Sequence, residues 1–243
     1  MKDLFSTGSQ RYQQARPSYP ASVIQALLEH LSARDLAWDC GAGSGQFTQV
    51  LAPYFEHVVA TDLSPQQLQQ APRFDNVSYQ VQAAEKTCFE ADSFDLISVA
   101  QAIHWFDFER FYAEVYRCLK SDGLFAVIGY GLIEVQSAAV NQEIQMLYTQ
   151  RLKDHWDPER IYVDQAYQNI PFPFQEIATP AYEMDYQWSA VQLLNYLKTW
   201  SAVKHYQKHF HDDPLQGVAA ALAQTDALIE VRFPVFLRLG RRA

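Results

Sequence analysis

The chain has 243 residues, a formal net charge of −9 and hydrophobic residues at 49% of its positions. Its length is sufficient for one substantial core, and its acidic balance disfavours DNA or RNA as a partner. No window approaches the roughly 18 consecutive apolar residues of a membrane span. The three cysteines, Cys40, Cys88 and Cys118, are too scattered for a disulfide framework or a metal site, so we predict buried free thiols in a cytoplasmic protein.

The predicted elements begin after an N-terminal arm. Residues 1–19 have weak periodicity and lack the apolar run of a signal peptide, and we interpret them as an arm or lid. A helix is predicted next, because apolar residues recur at helical spacing from Val23 to Leu31 and Pro20 suits a first helical turn.

Strands and helices then alternate through the first half of the chain. One of the helices is predicted to begin after Ser64, with Pro65 at its first position. This alternation, with apolar runs as strands, is typical of a parallel sheet covered on both faces. The predicted strands are 36–40, 57–62, 77–82, 94–100 and 123–131.

The alternation ends after Gly131. Helical patterns occupy 137–156 and 190–210, and strand patterns occupy 182–188 and 227–240. Pro234 interrupts the last of these patterns, which predicts an edge position or a bulge for that strand.

The loop after the first predicted strand, WDCGAGSGQF at 38–47, carries three glycines behind an aspartate. In open α/β sheets, ligands bind at the carboxyl ends of the strands. The dinucleotide pattern fails here, because Gln46 stands where the third glycine is required, and no lysine follows as a phosphate-binding P-loop requires. Asp39 would repel a pyrophosphate and attract a cation such as an ammonium, although it could also only cap the turn.

A second acid, Asp62, ends the next predicted strand, 21 positions after Gly41. An acid at this place can accept hydrogen bonds from both hydroxyls of a ribose, or it could only start the following helix. After the third strand, the loop AAEKTCF could meet an adenine ring. The implied ligand has an amine, a ribose and a base and needs no phosphate, and S-adenosylmethionine has these parts.

These motifs resemble the class I S-adenosylmethionine-dependent methyltransferases, of the methyltransferase type 11 superfamily. WDCGAGSGQFTQVLA is similar to their first motif, VVATDLSPQQLQQA to the second strand and helix, and VQAAEKTCFEADSFDLISVAQAIHWFD to the adenine loop and fourth strand. RCLKSDGLFAVIGYG resembles the turn before the fifth strand, with Ser121 and Asp122 in place of the usual Pro and Gly. YQQARPSYP, AQAIHWFD and YLKTWSAVKHY look like a subgroup that includes trans-aconitate methyltransferase-like proteins.

The resemblance implies the fold class, the cofactor and the parts of the chain. We expect an α/β fold with a Rossmann-like doubly wound sheet, mostly parallel with an antiparallel last strand, and helices on both faces. The expected cofactor is S-adenosyl-L-methionine, with S-adenosyl-L-homocysteine as its product. A single domain is expected, with parts in this order: arm or lid 1–19, cofactor-binding core 20–131, helical insertion over the acceptor site 132–200, and C-terminal helices and last strand 201–243.

The expected site residues fall into two groups. Those for the cofactor are Asp39, Gly41, Ala42, Gly43, Gly45, Asp62, Leu63, Ala84, Glu85 and Gln101. Those for the acceptor or the lid are Tyr12, Arg16, His104, Trp105, Trp156, Arg160 and Trp200. His104 is also the candidate catalytic base, because histidine titrates near neutral pH.

The expected activity is methyl transfer to a small-molecule acceptor, with a carboxylate as one candidate. A carboxylate is already ionised at neutral pH and needs no base, whereas a hydroxyl or amine would need one. Two other functions stay open at this point: a nicotinamide-dependent oxidoreductase and a non-catalytic domain that binds an adenosyl ligand. No metal, nucleic acid or membrane partner is expected.

Overall fold

A computed structural model describes residues 16–210, 212–224 and 228–242. Tyr12 and most of the predicted arm lie outside the described residues. The described part of the arm is 16–19, and the first described helix follows Pro20.

The sheet of the described residues has nine strands in the order β3-β2-β1-β4-β5-β9-β6, and β7 and β8 also pair with β9. Strands β1 to β5 are parallel, and β9 runs antiparallel to all of its neighbours. The predicted fold class is therefore confirmed. The strands are β1 Leu36–Cys40, β2 His57–Asp62, β3 Val77–Val81, β4 Phe94–Ala100, β5 Leu119–Tyr130, β6 Glu134–Val135, β7 Gln175–Ile177, β8 Tyr182–Trp188 and β9 Ile229–Arg241.

Nine α-helices of the described residues surround this sheet, with a few 3-10 turns between them. They are α1 Ala21–Glu29, α2 Thr48–Leu51, α3 Pro65–Gln70, α4 Phe108–Cys118, α5 Ala138–Met146, α6 Arg160–Asp164, α7 Ala190–Leu197, α8 Ser201–His209 and α9 Gln216–Leu222. Segment 132–200, predicted as a helical insertion, thus carries three short strands in addition to its helices.

Both faces of the sheet are covered, as the apolar runs predict. Successive residues of a strand point to opposite faces, and Leu96 and Ile97 accordingly belong to two different core clusters, each fully buried. Strand order reverses between β1 and β4, because β2 and β3 follow on one side and β5 on the other. The carboxyl ends of β1 and β4 therefore form the switch point at which open α/β sheets bind ligands.

Strand β5 begins at Leu119, earlier than the predicted start at 123. Leu119 pairs with Phe94, and the register shifts before the next pair. Ser121 and Asp122 leave the backbone free to extend there, because neither imposes the restricted φ of proline or the freedom of glycine.

The predicted edge position of the strand with Pro234 is wrong. Strand β9 has neighbours on both sides, and Pro234 pairs with Glu183 of β8. On the other side, the carbonyl of Pro234 accepts a hydrogen bond from the N–H of Gly131, just past the end of β5. The proline is tolerated inside the sheet because its missing N–H falls where β5 gives way to β6.

The predicted helix at 190–210 is two helices, α7 and α8, separated at 198–200. The break turns Trp200 into the core, where it is 4% exposed. The cysteine prediction holds for Cys40 and Cys118, which are buried, and is wrong for Cys88, which is exposed.

Candidate active site

The glycine loop between β1 and α2 adopts backbone angles that only glycine takes freely. Gly41, Gly43 and Gly45 have φ of +71°, +57° and +80°, in the left-handed region that side chains disfavour. The N–H groups of Gly41 and Ala42 both donate to the carbonyl of Thr61, at 2.8 and 2.9 Å. These bonds hold the loop against the carboxyl end of β2.

The first two glycines differ in what surrounds them. A Cβ at Gly41 would lie 2.6 Å from the Cβ of Ala102 and 3.1 Å from the ring of Phe106. At Gly43, a Cβ would meet no atom within 4 Å, and Gly43 lines a cleft above the loop. The first glycine therefore permits packing beneath the loop, and the second leaves room above it.

We therefore expect the two alanine variants to separate stability from binding. Gly41→Ala should destabilise the protein by about 3 kcal/mol or more, because backbone strain adds to the clash. Gly43→Ala should lower the free energy of unfolding by only about 1–2 kcal/mol, through backbone strain. When only the folded fraction of each variant is compared, Gly43→Ala should weaken cofactor binding more than Gly41→Ala does. Thermal unfolding and titration with S-adenosylmethionine measure the two effects, and normal affinity in Gly43→Ala would contradict this prediction.

Asp62 fastens the loop to the start of α3. The N–H of Gly43 donates to its Oδ2 at 2.9 Å, and the N–H of Ser64 donates to its Oδ1 at 2.8 Å. Ser64 is also the N-cap of α3, with Pro65 at the first helical position, as predicted. Asp62 lines the cleft, so its carboxylate borders the space that a ligand would occupy.

Asp39 is a fully buried carboxylate at the base of the same cleft. Thr48 donates to its Oδ2 at 2.6 Å, and Ser98 donates to its Oδ1 at 3.3 Å. Burial raises its pKa to about 6, against the lowering effect of these hydroxyls, and the charge of Asp62 raises it further. Among the ion pairs of the described residues, none includes Asp39. A cationic amine in the cleft would offset the cost of this buried charge.

The cleft collects most of the residues predicted for the cofactor. Asp39, Gly41, Ala42, Gly43, Asp62, Leu63 and Gln101 line it, together with Arg16 and Trp105 from the acceptor group. Gly45, Ala84 and Glu85 are not part of this lining. Instead, Glu85 accepts a hydrogen bond from the N–H of Asp107 at 3.2 Å, at the start of α4.

Several cleft residues were not predicted from the sequence. Tyr130 ends β5 and so stands at the carboxyl edge of the sheet, a position from which it could have been predicted. The others lie within the quoted motifs, from which we had selected different residues. The unpredicted set is Pro17, Tyr19, Gln46, Phe47, Ser64, Gln67, Ala100, Ala102 and Tyr130.

Gln101, directly after β4, has a φ of +53° although it is not glycine. Its N–H donates to the carbonyl of Ile128 at 2.9 Å, and its side-chain amide donates to the carbonyl of Tyr130 at 2.8 Å. These bonds hold a backbone conformation that other residues seldom adopt, and such strain concentrates at functional sites.

Two arginines of the acceptor group lie among aromatic rings, and one of them, Arg16, also lines the cleft. Arg16 donates to the hydroxyl of Tyr130 at 2.6 Å, and its guanidinium lies 5.6 Å from the ring centre of Tyr196. Arg160 lies 5.4 Å from the ring centre of Tyr148 and 5.1 Å from that of Trp156.

Trp200 connects these two groups of rings in the protein interior. Its ring lies 6.0 Å from Tyr196, 5.7 Å from Tyr148 and 5.5 Å from Trp156. We call the set the arginine–aromatic cluster, and its members are Arg16, Tyr148, Trp156, Arg160, Tyr196 and Trp200. The structure thus brings together all of the described residues predicted for the acceptor, since His104 and Trp105 adjoin the cluster through α6, which packs against 103–105.

His104 is 9% exposed, and its Nδ1 lies 2.9 Å from the hydroxyl of Tyr167. Its pKa is lowered to about 3 by burial and by the charges of Arg160 and Arg16. The ring is therefore neutral at physiological pH and a weak base. This argues against the predicted role of His104 as the catalytic base.

Two further features bear on partners. None of the described helices combines the length and apolarity that crossing a membrane would require. Within the described ranges, no group of three or more histidine, cysteine, aspartate or glutamate side chains is arranged to hold a metal ion.

Comparisons with known proteins point to one family. The family model of a methyltransferase domain matches residues 38–127. A candidate methyltransferase from Dictyostelium discoideum is 34% identical over 253 aligned positions, which cover 99% of this chain and 95% of that protein. The solved structure of a candidate type II methyltransferase from Anaeromyxobacter dehalogenans has a TM-score of 0.85 and 39% identity, and the match covers 93% of this chain and 97% of that one.

A third relative matches only in part. A candidate S-adenosylmethionine-dependent methyltransferase from Saccharomyces cerevisiae is 32% identical over 127 residues, which is 49% of this chain and 44% of that protein. The similarity to the Dictyostelium and Anaeromyxobacter proteins, in contrast, extends over nearly the whole chain.

Proposed function

The chain belongs to the class I S-adenosylmethionine-dependent methyltransferases, and we propose that it methylates a small carboxylic acid. It is an enzyme, and S-adenosylmethionine is its cofactor. The observation that carries the acceptor proposal is that Arg16, which lines the cofactor cleft and donates to Tyr130, belongs with Arg160 to one arginine–aromatic cluster.

The residues of the cleft fit the cofactor, and we propose which part each one holds. Asp39 offers a buried carboxylate for the amino group, and Asp62, whose carboxylate lines the same cleft, is proposed to accept hydrogen bonds from the ribose hydroxyls. Gly43 leaves the space above the loop open, since a Cβ there would project into it. Gly41, Ala42, Leu63 and Gln101 are proposed to line the bound cofactor, whereas Gly45, Ala84 and Glu85 support the loops around it.

When bound, S-adenosylmethionine would supply a methyl group from its sulfonium. A carboxylate oxygen of the acceptor would form a bond to this methyl carbon as the carbon–sulfur bond breaks. The products would be an ester and a thioether, and no proton would need to be transferred. The protein's task is then to hold and orient the acceptor and to exclude water. Arg16 and Tyr130 line the cleft and also contact each other, so they stand between the cofactor side and the acceptor side.

The charges beyond Tyr130 favour an anion. Lys204 has a lowered pKa, because of burial and of the nearby charges of Arg16 and Lys208. His104 likewise has its pKa lowered by both Arg160 and Arg16. A carboxylate bound there would relieve this repulsion, and a guanidinium can bind both of its oxygens.

The weak basicity of His104 supports the same acceptor. A hydroxyl or an amine acceptor needs a base with a pKa closer to neutral. A carboxylate acceptor is already ionised, so the weak basicity of His104 is consistent with ester formation. The oxidoreductase alternative is not favoured, since Asp39 would repel a pyrophosphate on the loop.

We propose that the segments after the core supply the acceptor site. Residues 132–200 contribute Tyr148, Trp156 and Arg160, and the described end of the arm contributes Arg16. In this division, 20–131 holds the cofactor and 201–243 completes the sheet. A small-molecule acceptor and a cytoplasmic location stay predictions that rest on the acidic charge and the composition.

Replacing Asp62 with alanine should weaken S-adenosylmethionine binding by about 1–3 kcal/mol, or about 5- to 150-fold in Kd, because charged hydrogen bonds are lost. The N–H of Gly43 also loses its acceptor, so the unfolding temperature should fall. Isothermal titration measures the affinity. Asp122→Ala is the control, since this exposed acid accepts a surface hydrogen bond from Ser32 and is not part of the cleft lining; equal affinities in the two variants would contradict the assignment.

The proposed activity is tested by incubating the protein with S-adenosylmethionine and single small acids and identifying the product by mass spectrometry. We expect methyl esters from acids and no product from the matching primary amides. Methylation of the amides at similar rates, or transfer to a hydroxyl or amine in place of the carboxylate, would overturn the carboxylate proposal.

A further inference from the structure

A chain of hydrogen bonds runs from the end of β5 to His104. The side-chain amide of Gln101 lies 2.8 Å from the carbonyl of Tyr130, and its other end lies 3.2 Å from the hydroxyl of Tyr167. The same hydroxyl lies 2.9 Å from Nδ1 of His104. Tyr167 is fully buried, so its hydroxyl is shielded from bulk water.

The direction of each bond follows from which groups can donate. A backbone carbonyl only accepts, so the Gln101 nitrogen must face Tyr130, and the Gln101 oxygen must face Tyr167. That oxygen also only accepts, so the single hydroxyl proton of Tyr167 is given to it. The Tyr167 oxygen is then left to accept from His104, which places a proton on Nδ1.

A neutral ring with its proton on Nδ1 has a lone pair on Nε2. The ring is neutral because burial and the charges of Arg160 and Arg16 lower its pKa to about 3. Within the described part of the chain, no hydrogen-bond partner is found for Nε2. Nε2 is not one of the fully buried side-chain atoms without a partner in the described ranges, so it keeps some access to solvent. A ligand that donates a hydrogen bond can therefore reach it.

The surrounding charges restrict which donor this is. An ammonium would be repelled by Arg16 and Arg160, the charges that lower the pKa of His104. The same charges keep a carboxyl group ionised, so it has no proton to donate. A neutral hydroxyl avoids both problems, and it can stand beside a carboxylate in one small acceptor.

We propose that Gln101 and Tyr167 are positioning residues that hold the proton of His104 on Nδ1, so that Nε2 accepts a hydrogen bond from a hydroxyl of the acceptor, which is a hydroxy acid. The strained backbone of Gln101, with φ of +53°, is consistent with this role, since it aims the amide at both partners. The substrate class rests on the proposed function, whereas the position of the proton does not.

The proton position is measured in the ligand-free protein by nitrogen NMR with labelled histidine, and His104→Gln identifies the signals. We expect Nδ1 to be protonated and Nε2 to be unprotonated near neutral pH. Tyr167→Phe removes the acceptor and should shift the proton toward Nε2. Tyr112→Phe is the matched control, because this buried tyrosine donates to the carbonyl of Pro171 at 2.5 Å and should leave the signals unchanged.

The hydroxyl is tested with pairs of acids that differ only in that group, malate against succinate and salicylate against benzoate. With S-adenosylhomocysteine present, a hydroxy acid should shift the Nε2 signal and its partner should not. Where turnover occurs, kcat/KM should favour the hydroxy acid about tenfold. Tyr167→Phe should reduce this preference to about twofold or less through KM, and Tyr112→Phe should retain it.

The outcomes separate the two proposals. A proton on Nε2 in the wild type, or no response to Tyr167→Phe, would overturn the positioning role. Equal responses to both members of each pair, or none to either, would overturn the hydroxy-acid class. A shift of Nε2 by the hydroxy acid without any ester formed would support this inference and overturn the proposed function instead.

Discussion

Replacing Asp39 with asparagine is expected to weaken S-adenosylmethionine binding about tenfold to hundredfold while making the ligand-free protein more stable near neutral pH. The loss of affinity follows from the loss of a buried charge that holds the amino group. The gain in stability follows from burial, which raises the pKa of Asp39 from its ordinary value of 3.8 to about 6. This difference corresponds to a cost on the order of 3 kcal/mol for keeping the carboxylate ionised in the folded protein.

The sign of the pH dependence follows from the same shift. Because the folded pKa lies above the unfolded one, the folded protein binds more protons between about pH 4 and pH 6, and its free energy of unfolding falls as the pH rises through this window. Binding of a cationic amine should show the opposite trend. As the pH rises toward 6, the affinity should increase by up to about tenfold per pH unit, and above pH 6 it should be constant. Binding at the lower pH should release a proton from Asp39.

Isothermal titration across this pH range, with thermal unfolding in parallel, measures both effects. Asp39→Asn should remove the pH dependence of binding in this window. Asp95→Asn is the control, because this acid is also buried but bonds Lys120 at 2.6 Å and the N–H groups of Asp35 and Leu36, away from the cleft. It should lose stability and retain affinity. Weaker stability in Asp39→Asn together with unchanged affinity would contradict the role assigned to Asp39.

Replacing Arg160 with glutamine should raise KM for the acid about tenfold to hundredfold and leave the Kd of S-adenosylmethionine unchanged. Among the described residues, the hydrogen bonds of the Arg160 guanidinium all come from its Nε, which donates to Tyr148 at 2.9 Å and to Asp164 at 3.2 Å. The terminal nitrogens are then available for a carboxylate, a bond that typically contributes about 1.5–3 kcal/mol. The pKa of His104 should also rise, because the charge of Arg160 lowers it.

Steady-state kinetics with the acid and titration with the cofactor separate these effects. Arg160→Lys keeps the charge without the planar pair of donors and should recover part of the affinity. Arg110→Gln is the control, since Arg110 is an exposed arginine paired with Asp107 at 3.8 Å on α4. If Arg160→Gln weakened cofactor binding as strongly as acid binding, Arg160 would not belong to the acceptor side.

The cofactor half of the site could be predicted from the sequence because local patterns determine it. The strands at 36–40, 57–62 and 94–100 were predicted with their observed bounds, since each is a buried apolar run that ends at a turn. Asp39 and Asp62 follow from strand ends, where side chains meet at one edge of the sheet. The spacing of the three glycines in turn predicts the loop between them.

The acceptor half could be predicted only as a set of candidates. Tyr167 reaches Gln101 from 66 positions away along the chain, and no local pattern marks a contact of that range. Tyr148 and Tyr196 look like ordinary core aromatics at helical spacing, and only packing shows that they surround the two arginines. The low pKa of His104 likewise depends on burial and distant charges, so its residue type alone suggested a base.

The most direct test of the account is a crystal structure with S-adenosylhomocysteine bound. We expect the amino group of this ligand to contact Asp39 and its ribose hydroxyls to contact Asp62. We expect its sulfur to face the end of the cleft lined by Arg16 and Tyr130. A sulfur that faced away from these two residues, or an amino group without contact to Asp39, would contradict it.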